Sequence, residues 1–309
     1  MNIMDLNNNI SEKYAIKIND IERLTNKSYK IVCDKHNCYF IKQVPKIVEN
    51  KYTFLANQGV NNVLYPILNK ERKYITEFND KNFYINDYID NIVTKEESRA
   101  YNMFNALNRL HSSTTIKKQL SVTDSRPKIE EITKQLDYKF IVIEQYIRSL
   151  ETKPIDRYSM MVLEKYHIIL NAKKELVALQ KKIIMSIKDK DSVEFSFVHN
   201  NPKNDHLIMK NGYQYLTSIS KGKIGISSLD MAKFYVENND VNIDYKEIIF
   251  KDYYSQKNTF YYDYFRFLVF FIYIKSIHFS QNDIINKENF VNICVKIEKF
   301  MNDFSQESN

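Results

Sequence analysis

The sequence predicts an α+β protein, and three observations carry that expectation. Short alternating apolar segments fill the first 90 residues, helical periodicity takes over after residue 94, and only four glycines and five prolines interrupt 309 residues. So few breakers favour long helices over a turn-rich β-protein. A chain of this length can bury ample apolar surface, as one large domain or as two lobes. Its hydrophobic content of 44%, with 14% aromatic residues, is that of a globular chain.

Strand-like alternation first runs through Tyr14–Ile18, Tyr29–Cys33 and Cys38–Lys42. Polar residues Asp34, Lys35, His36 and Asn37 separate the last two segments, which predicts a hairpin. A helix is expected over about 46–58, closed by Gly59 as a glycine C-cap. Two more strands are expected, at Lys73–Phe78 and Asn82–Asn86. Thr94-Lys95-Glu96-Glu97 then has the form of a capping box, with Ala100, Met103, Phe104, Leu107 and Leu110 at helical spacing behind it. Residues 128–150 and 157–188 predict two long helices with Pro154 as the breaker between them. A mixed segment, 194–226, holds a short strand at Phe195–Val198 and a hairpin over Leu207–Leu216, and the chain is helical from Leu229 onward. Domain boundaries follow the change of period: a β-rich lobe at 12–90 and a helical lobe at 91–305.

The net charge of +7 invites a nucleic-acid or membrane partner, but the lysines are spread along the whole chain. No dense basic run or nucleic-acid motif accompanies them, so the expectation is an ordinary solvated surface, with neither partner. Three cysteines, Cys33, Cys38 and Cys294, lack metal-type spacing and fit a reducing compartment. Met1 to Ile10 is polar with no apolar signal core, and the apolar run Phe267–Ile274 is too short to span a bilayer. These features predict a soluble, cytoplasmic protein. The aromatic residues between 253 and 273 could form a cage for a quaternary ammonium, but helical core packing is the simpler expectation.

The segment with most chemical content is His199-Asn200-Asn201-Pro202-Lys203-Asn204-Asp205-His206-Leu207-Ile208. It resembles the catalytic loop of aminoglycoside phosphotransferases and choline kinases, H-x-D-x-x-x-x-N followed by two apolar residues. Other stretches match that group in the same order. Cys38–Lys42 resembles the third strand, whose Lys contacts nucleotide phosphates, and Glu49 is the candidate partner for Lys42. The segment around Tyr88 resembles the hinge that hydrogen-bonds adenine through its backbone. Ala106–His111 resembles the "L-x-x-L-H" helix end, and Leu229-Asp230-Met231-Ala232 the "D-L-A" segment. The resemblance implies a two-lobed protein-kinase-like fold over roughly residues 14–300, with the spore-coat proteins of the CotS type as a near branch.

The same resemblance exposes what is missing. Asn201 stands where the general-base Asp belongs, so help of about 10²- to 10⁴-fold is lost. His206 stands at the metal-binding Asn, although magnesium prefers oxygen. Thr217 stands at the second metal-binding acid, and the Thr25–Ser28 turn has no glycine for close approach to phosphate. Asp205 or Asp230 could supply a carboxylate instead. The implied site is therefore His199 and Asn201 in a degenerate loop, with Lys42, Glu49 and Tyr88 around ATP and no firm magnesium site. The expected function is a pseudokinase that acts by binding a protein or a small molecule, or as a structural component. The alternative is an active ATP-dependent phosphotransferase for an aminoglycoside, choline or sugar hydroxyl.

Overall fold

A computed structural model describes residues 10–33, 37–90, 94–119, 122–188, 192–255 and 257–304, with the side chains of 122–129 left aside. The turn residues Asp34, Lys35 and His36, hinge residue Asn91 and both inner and outer ends of the expected 91–305 lobe lie outside them. The chain divides into two compact units, 1–115 with 196–225, and 116–195 with 226–309. Packing defines these units, whereas a change of sequence period defined 12–90 and 91–305, so the two divisions are different partitions.

The first unit opens with a five-stranded antiparallel sheet: β1 (Ile18–Thr25), β2 (Ser28–Cys33), β3 (Cys38–Val44), β4 (Thr76–Phe78) and β5 (Lys81–Asp87). Strand order is β1-β2-β3-β5-β4. Ile31, Cys33, Ile41, Phe83 and Ile85 bury one face of it, each two residues from the next inward side chain of its strand. Lys42 follows Ile41 and therefore projects from the opposite face. The first strand begins later than the alternation suggested: residues 10–14 form a helical turn and Ala15 takes φ 57° before β1 starts. β1 is an edge strand rich in charge, Asp20, Glu22 and Arg23 among its residues, which explains the missed signal.

Helix α1 (Val48–Asn57) ends as expected. Gly59 sits at φ 68°, Val60 N–H reaches the Leu55 carbonyl and Gly59 N–H the Ala56 carbonyl, a Schellman motif. Helix α2 (Glu96–Ser113) is capped by Lys95 with no side-chain hydrogen bond. The predicted capping box fails because Thr94 falls one residue outside the cap.

The second unit holds β6 (Ile116–Lys118), the long helices α3 (Val122–Glu151) and α4 (Arg157–Lys188), and the first half of β7 (Val193–Val198). Helix α5 (Ser228–Asn238), a π-helical segment (Lys246–Tyr254), α6 (Thr259–Ser276) and α7 (Asp283–Phe304) complete it. Its core is aromatic: Tyr235, Phe265, Phe300 and Phe304 lie with ring centroids 5.1–6.4 Å apart. Tyr253, Tyr254, Phe260 and Tyr261 are buried among such rings, which is core packing rather than an open cage. Among the described residues no helix is long and apolar enough to cross a membrane.

Candidate functional site

The remainder of the first unit builds the loop. The second half of β7 pairs with β10 (Lys223–Gly225) and delivers the chain to His199. Asn200 then takes φ 64°, a left-handed conformation that Asn tolerates better than most residues. A short 3₁₀ turn (Asn204–His206) leads into β8 (Leu207–Lys210), which returns as β9 (Tyr213–Leu216). Asn211 and Gly212, at φ 54° and 78°, form the two-residue turn, the Asn-Gly signature of a tight hairpin. That turn sets Leu207 opposite Leu216, so the next pair outward is His206 and Thr217. Two residues eleven apart in sequence are thereby forced together.

Their hydrogen bonds form a circuit of uncharged groups. Thr217 donates both its N–H (2.8 Å) and its hydroxyl (3.1 Å) to the His206 carbonyl. His206 Nδ1 donates to the Asn201 carbonyl at 2.8 Å, which places its proton on Nδ1. Asn201 N–H in turn reaches His199 Nδ1 at 3.3 Å, and His199 Nε2 donates to the Thr217 carbonyl at 2.7 Å. His199 is fully buried and neutral in this arrangement, with one nitrogen accepting and the other donating. Burial above all, helped by the Lys42 charge and the neighbouring His199 ring, pushes the His206 imidazole down to about 4, while its bond to Asn201 and the Asp205 charge act against this. At neutral pH His206 is uncharged as well.

Asp205, the carboxylate beside His206 in sequence, pairs with an arginine outside this circuit. Asp205 is 83% exposed and bound by Arg99 at 2.9 Å. Asp230 lies fully buried in the first turn of α5, in the other unit. Among the described residues no group of three or more His, Cys, Asp or Glu side chains could hold a metal ion. Magnesium, which this type of loop would imply, needs several oxygens with anionic ones among them. Asn201, His206 and Thr217 are neutral and bonded to one another, so the residues present do not fit that ion.

Lys42 sits in the central strand β3 between Ser28 and Tyr84. Its ammonium donates to Ser218 Oγ at 3.0 Å, which brings β3 to the residue after Thr217. Lys42 is thereby set beside the segment that follows β9. Desolvation, then the nearby Lys221 charge, lower the Lys42 pKa, and no acid acts on it. The expected Lys42–Glu49 ion pair does not form. Glu49 lies in the first turn of α1 and accepts the backbone N–H groups of Ile75 (2.7 Å) and Tyr74 (3.2 Å) instead. A separation of seven residues, strand to helix start, is too short to bring the two side chains together. Tyr88 likewise departs from its expected use: its N–H is bonded to the Cys38 carbonyl at 2.9 Å, so this backbone donor is not offered to adenine. Its ring lies under the Lys30 ammonium, 4.4 Å from the centroid.

Sequence reasoning missed three residues here. Lys51, on α1, donates to the Ser220 carbonyl at 2.6 Å, and Asn200 Nδ2 holds the Lys221 carbonyl at 3.0 Å. Ser218 takes φ 60°, an unfavourable conformation for a residue with a Cβ and one that tends to mark functional segments. No local motif announces Lys51 or Ser218, and Asn200 stands inside the quoted loop without an assigned role. The only available signal was the spacing of Thr217-Ser218 behind the hairpin.

No protein-family model matches the chain, and no curated protein does. Solved structures do resemble it. One is an aminoglycoside phosphotransferase from Alicyclobacillus acidocaldarius, with a TM-score of 0.65 and 11% identity over 96% of this chain and 94% of that one. A second is the AMP-bound complex of spectinomycin phosphotransferase APH(9)-Ia, with a TM-score of 0.57 and 13% identity over 99% of both chains. A third is a thermostable mutant of aminoglycoside phosphotransferase APH(4)-Ia, at 0.51 and 10% over 98% of this chain and 100% of that one. Identities this low speak to architecture alone, and on that level the chain has the α+β, kinase-like fold of the aminoglycoside phosphotransferases.

Proposed function

We propose that this protein is a pseudokinase, a kinase-like protein that binds through the site around Lys42 without transferring phosphate, and that serves as a binding or structural component. One observation carries the proposal. The three positions that would supply the base and the metal ligands, Asn201, His206 and Thr217, are uncharged and hydrogen-bonded to one another. Phosphoryl transfer depends on positioned metal ions and a base that orients the hydroxyl. A circuit whose donors and acceptors already satisfy each other provides neither. The ligand class favoured is a nucleotide, since the AMP-bound phosphotransferase shares the fold and Lys42 is retained. Binding of a nucleotide would proceed without magnesium.

The test is a thermal-shift titration with ATP, with and without magnesium, beside an ATP-turnover assay. Stabilisation that ignores magnesium, with no turnover, is expected. Metal-dependent stabilisation with turnover would overturn the proposal in favour of an active small-molecule phosphotransferase. That second possibility draws its support from the fold, which solved phosphotransferases share, and from the Lys42–Ser218 contact. It needs a carboxylate the loop does not hold, because Arg99 already binds Asp205. Restoring Asn201→Asp, His206→Asn and Thr217→Asp together should then raise turnover, provided the acceptor pocket is intact.

A further inference from the structure

Near Lys42 the charge balance is opposite to what a metal site requires. A magnesium site is a cluster of anionic oxygens that a cation neutralises. Around Ser218 the charged groups are instead ammonium ions. Lys42 is half-buried and donates to Ser218 Oγ. Lys221, three residues on, is exposed, and among the described residues its ammonium has no hydrogen bond or ion pair. Its charge is felt at Lys42. Two like charges that repel each other, one of them partly removed from water, raise the energy of the empty site unless an anion binds them.

We propose that Lys42, Lys221 and the Ser218 hydroxyl form a metal-free pyrophosphate site, in which two ammonium ions take the place of one divalent cation. The charge arithmetic supports this: two lysines bring the +2 of one magnesium ion and need no carboxylate to seat them. Ser218 Oγ already accepts a hydrogen bond from Lys42, so its own O–H is left to donate to a phosphate oxygen. Its left-handed backbone, φ 60° and ψ 38°, is a cost that a binding role would justify. Lys51 is a positioning residue: its bond to the Ser220 carbonyl ties α1 to the short turn that carries Lys221. Gly222, just beyond, packs so closely on Phe197 that an added Cβ would lie 2.4 Å from the ring. That contact holds the turn from its other end. The ligand class is an anion with two linked phosphates, as in a nucleoside diphosphate, and this deepens the binding function proposed above.

The probe is inorganic pyrophosphate, titrated calorimetrically in EDTA against the full chain and the Lys221→Met, Lys221→Arg and Lys51→Met variants. Binding is expected in EDTA, weakened about tenfold or more by Lys221→Met and regained in Lys221→Arg, as for a charge-assisted contact. Lys51→Met should weaken it less. Lys221 is exposed, so Lys221→Met should fold normally, and circular dichroism checks this. Absence of binding, a requirement for magnesium, or unchanged affinity in Lys221→Met would each overturn the site. Comparison with ADP separates this inference from the nucleotide proposal. ADP no tighter than pyrophosphate would support the anion site and remove the nucleotide. ADP bound only with magnesium would retain the nucleotide and overturn the lysine site.

Discussion

The two units treat their inward-reaching cations differently. In the second unit, Lys287 lies between Asp156 (2.8 Å) and Asp283 (2.7 Å), Lys165 meets Glu298 (2.8 Å), and Arg266 meets Glu175 (3.0 Å). Each of these three cations has its counter-charge within the unit, whereas Lys139 and Lys299 donate to the backbone carbonyls of Ile277 and Asn239. In the first unit Lys13 meets Glu71 and the exposed Lys46 meets Glu77, while Lys51 donates to the Ser220 carbonyl. Around Ser218, Lys42 has a neutral hydroxyl as its partner and is repelled by Lys221. The repulsion between Lys42 and Lys221, rather than the mere lack of a carboxylate, sets this place apart.

The difference can be broken most forcefully on the structural side. Phe265 is fully buried among Tyr235, Phe300 and Phe304. Phe265→Ala removes that ring and leaves a cavity, so urea denaturation should show a loss of about 3–5 kcal/mol. Lys287→Met comes next. Its side chain is 7% exposed, and its loss leaves two carboxylates facing each other without their shared counter-ion. The urea midpoint should fall, and by more than for Lys165→Met, whose single partner keeps 44% of its surface in water.

Much of this was legible beforehand where the signal is local. Gly59 ending a helix and Asn211-Gly212 turning a hairpin follow from backbone freedom, and the structure has both. The loop could also be located, because the hairpin register alone brings His206 to Thr217. Legibility ended where partners are chosen across the fold. Tyr14–Ile18 looked like a strand until Ala15 turned the chain, and Thr94 looked like a cap one residue too early. Glu49 was a sensible partner for Lys42, yet the nearby N–H groups of Tyr74 and Ile75 claim it. Lys51 and Lys221 are ordinary lysines in sequence. Only the packing of α1 on the 219–221 turn gives them a place.

Titration sharpens the comparison, since the two units respond in separate windows. The Lys287 ammonium, with the Ser159 N–H, holds Asp156 at about 2, below its ordinary 3.8. A depressed carboxylate contributes stability above about pH 4, and that contribution drains away as pH falls towards 2. His206 acts earlier. Its folded value of about 4 lies below the ordinary 6.5, so between those values the unfolded chain binds more protons. Stability should therefore fall as pH drops from 6.5 towards 4. Urea midpoints at pH 7 and pH 5 should differ in the parent protein and differ less in His206→Gln. An unchanged difference would assign that window to another group.

The smallest effect is the most telling, because its sign is opposite to that of Lys287. Lys42 is partly desolvated, repelled by Lys221, and has only a neutral hydroxyl as partner. Lys42→Met keeps most of the side-chain volume while removing both the desolvation cost and the repulsion. Replacing such a charge by an apolar side chain is often neutral or favourable, so the ligand-free protein should keep its stability or gain up to about 1 kcal/mol. The same substitution should abolish pyrophosphate binding in EDTA. A variant more robust without ligand, yet unable to hold one, is what a charge retained for binding predicts. If Lys42→Met instead lost stability as Lys287→Met does, the ammonium would be structural, and the contrast between the two units would no longer point to a ligand.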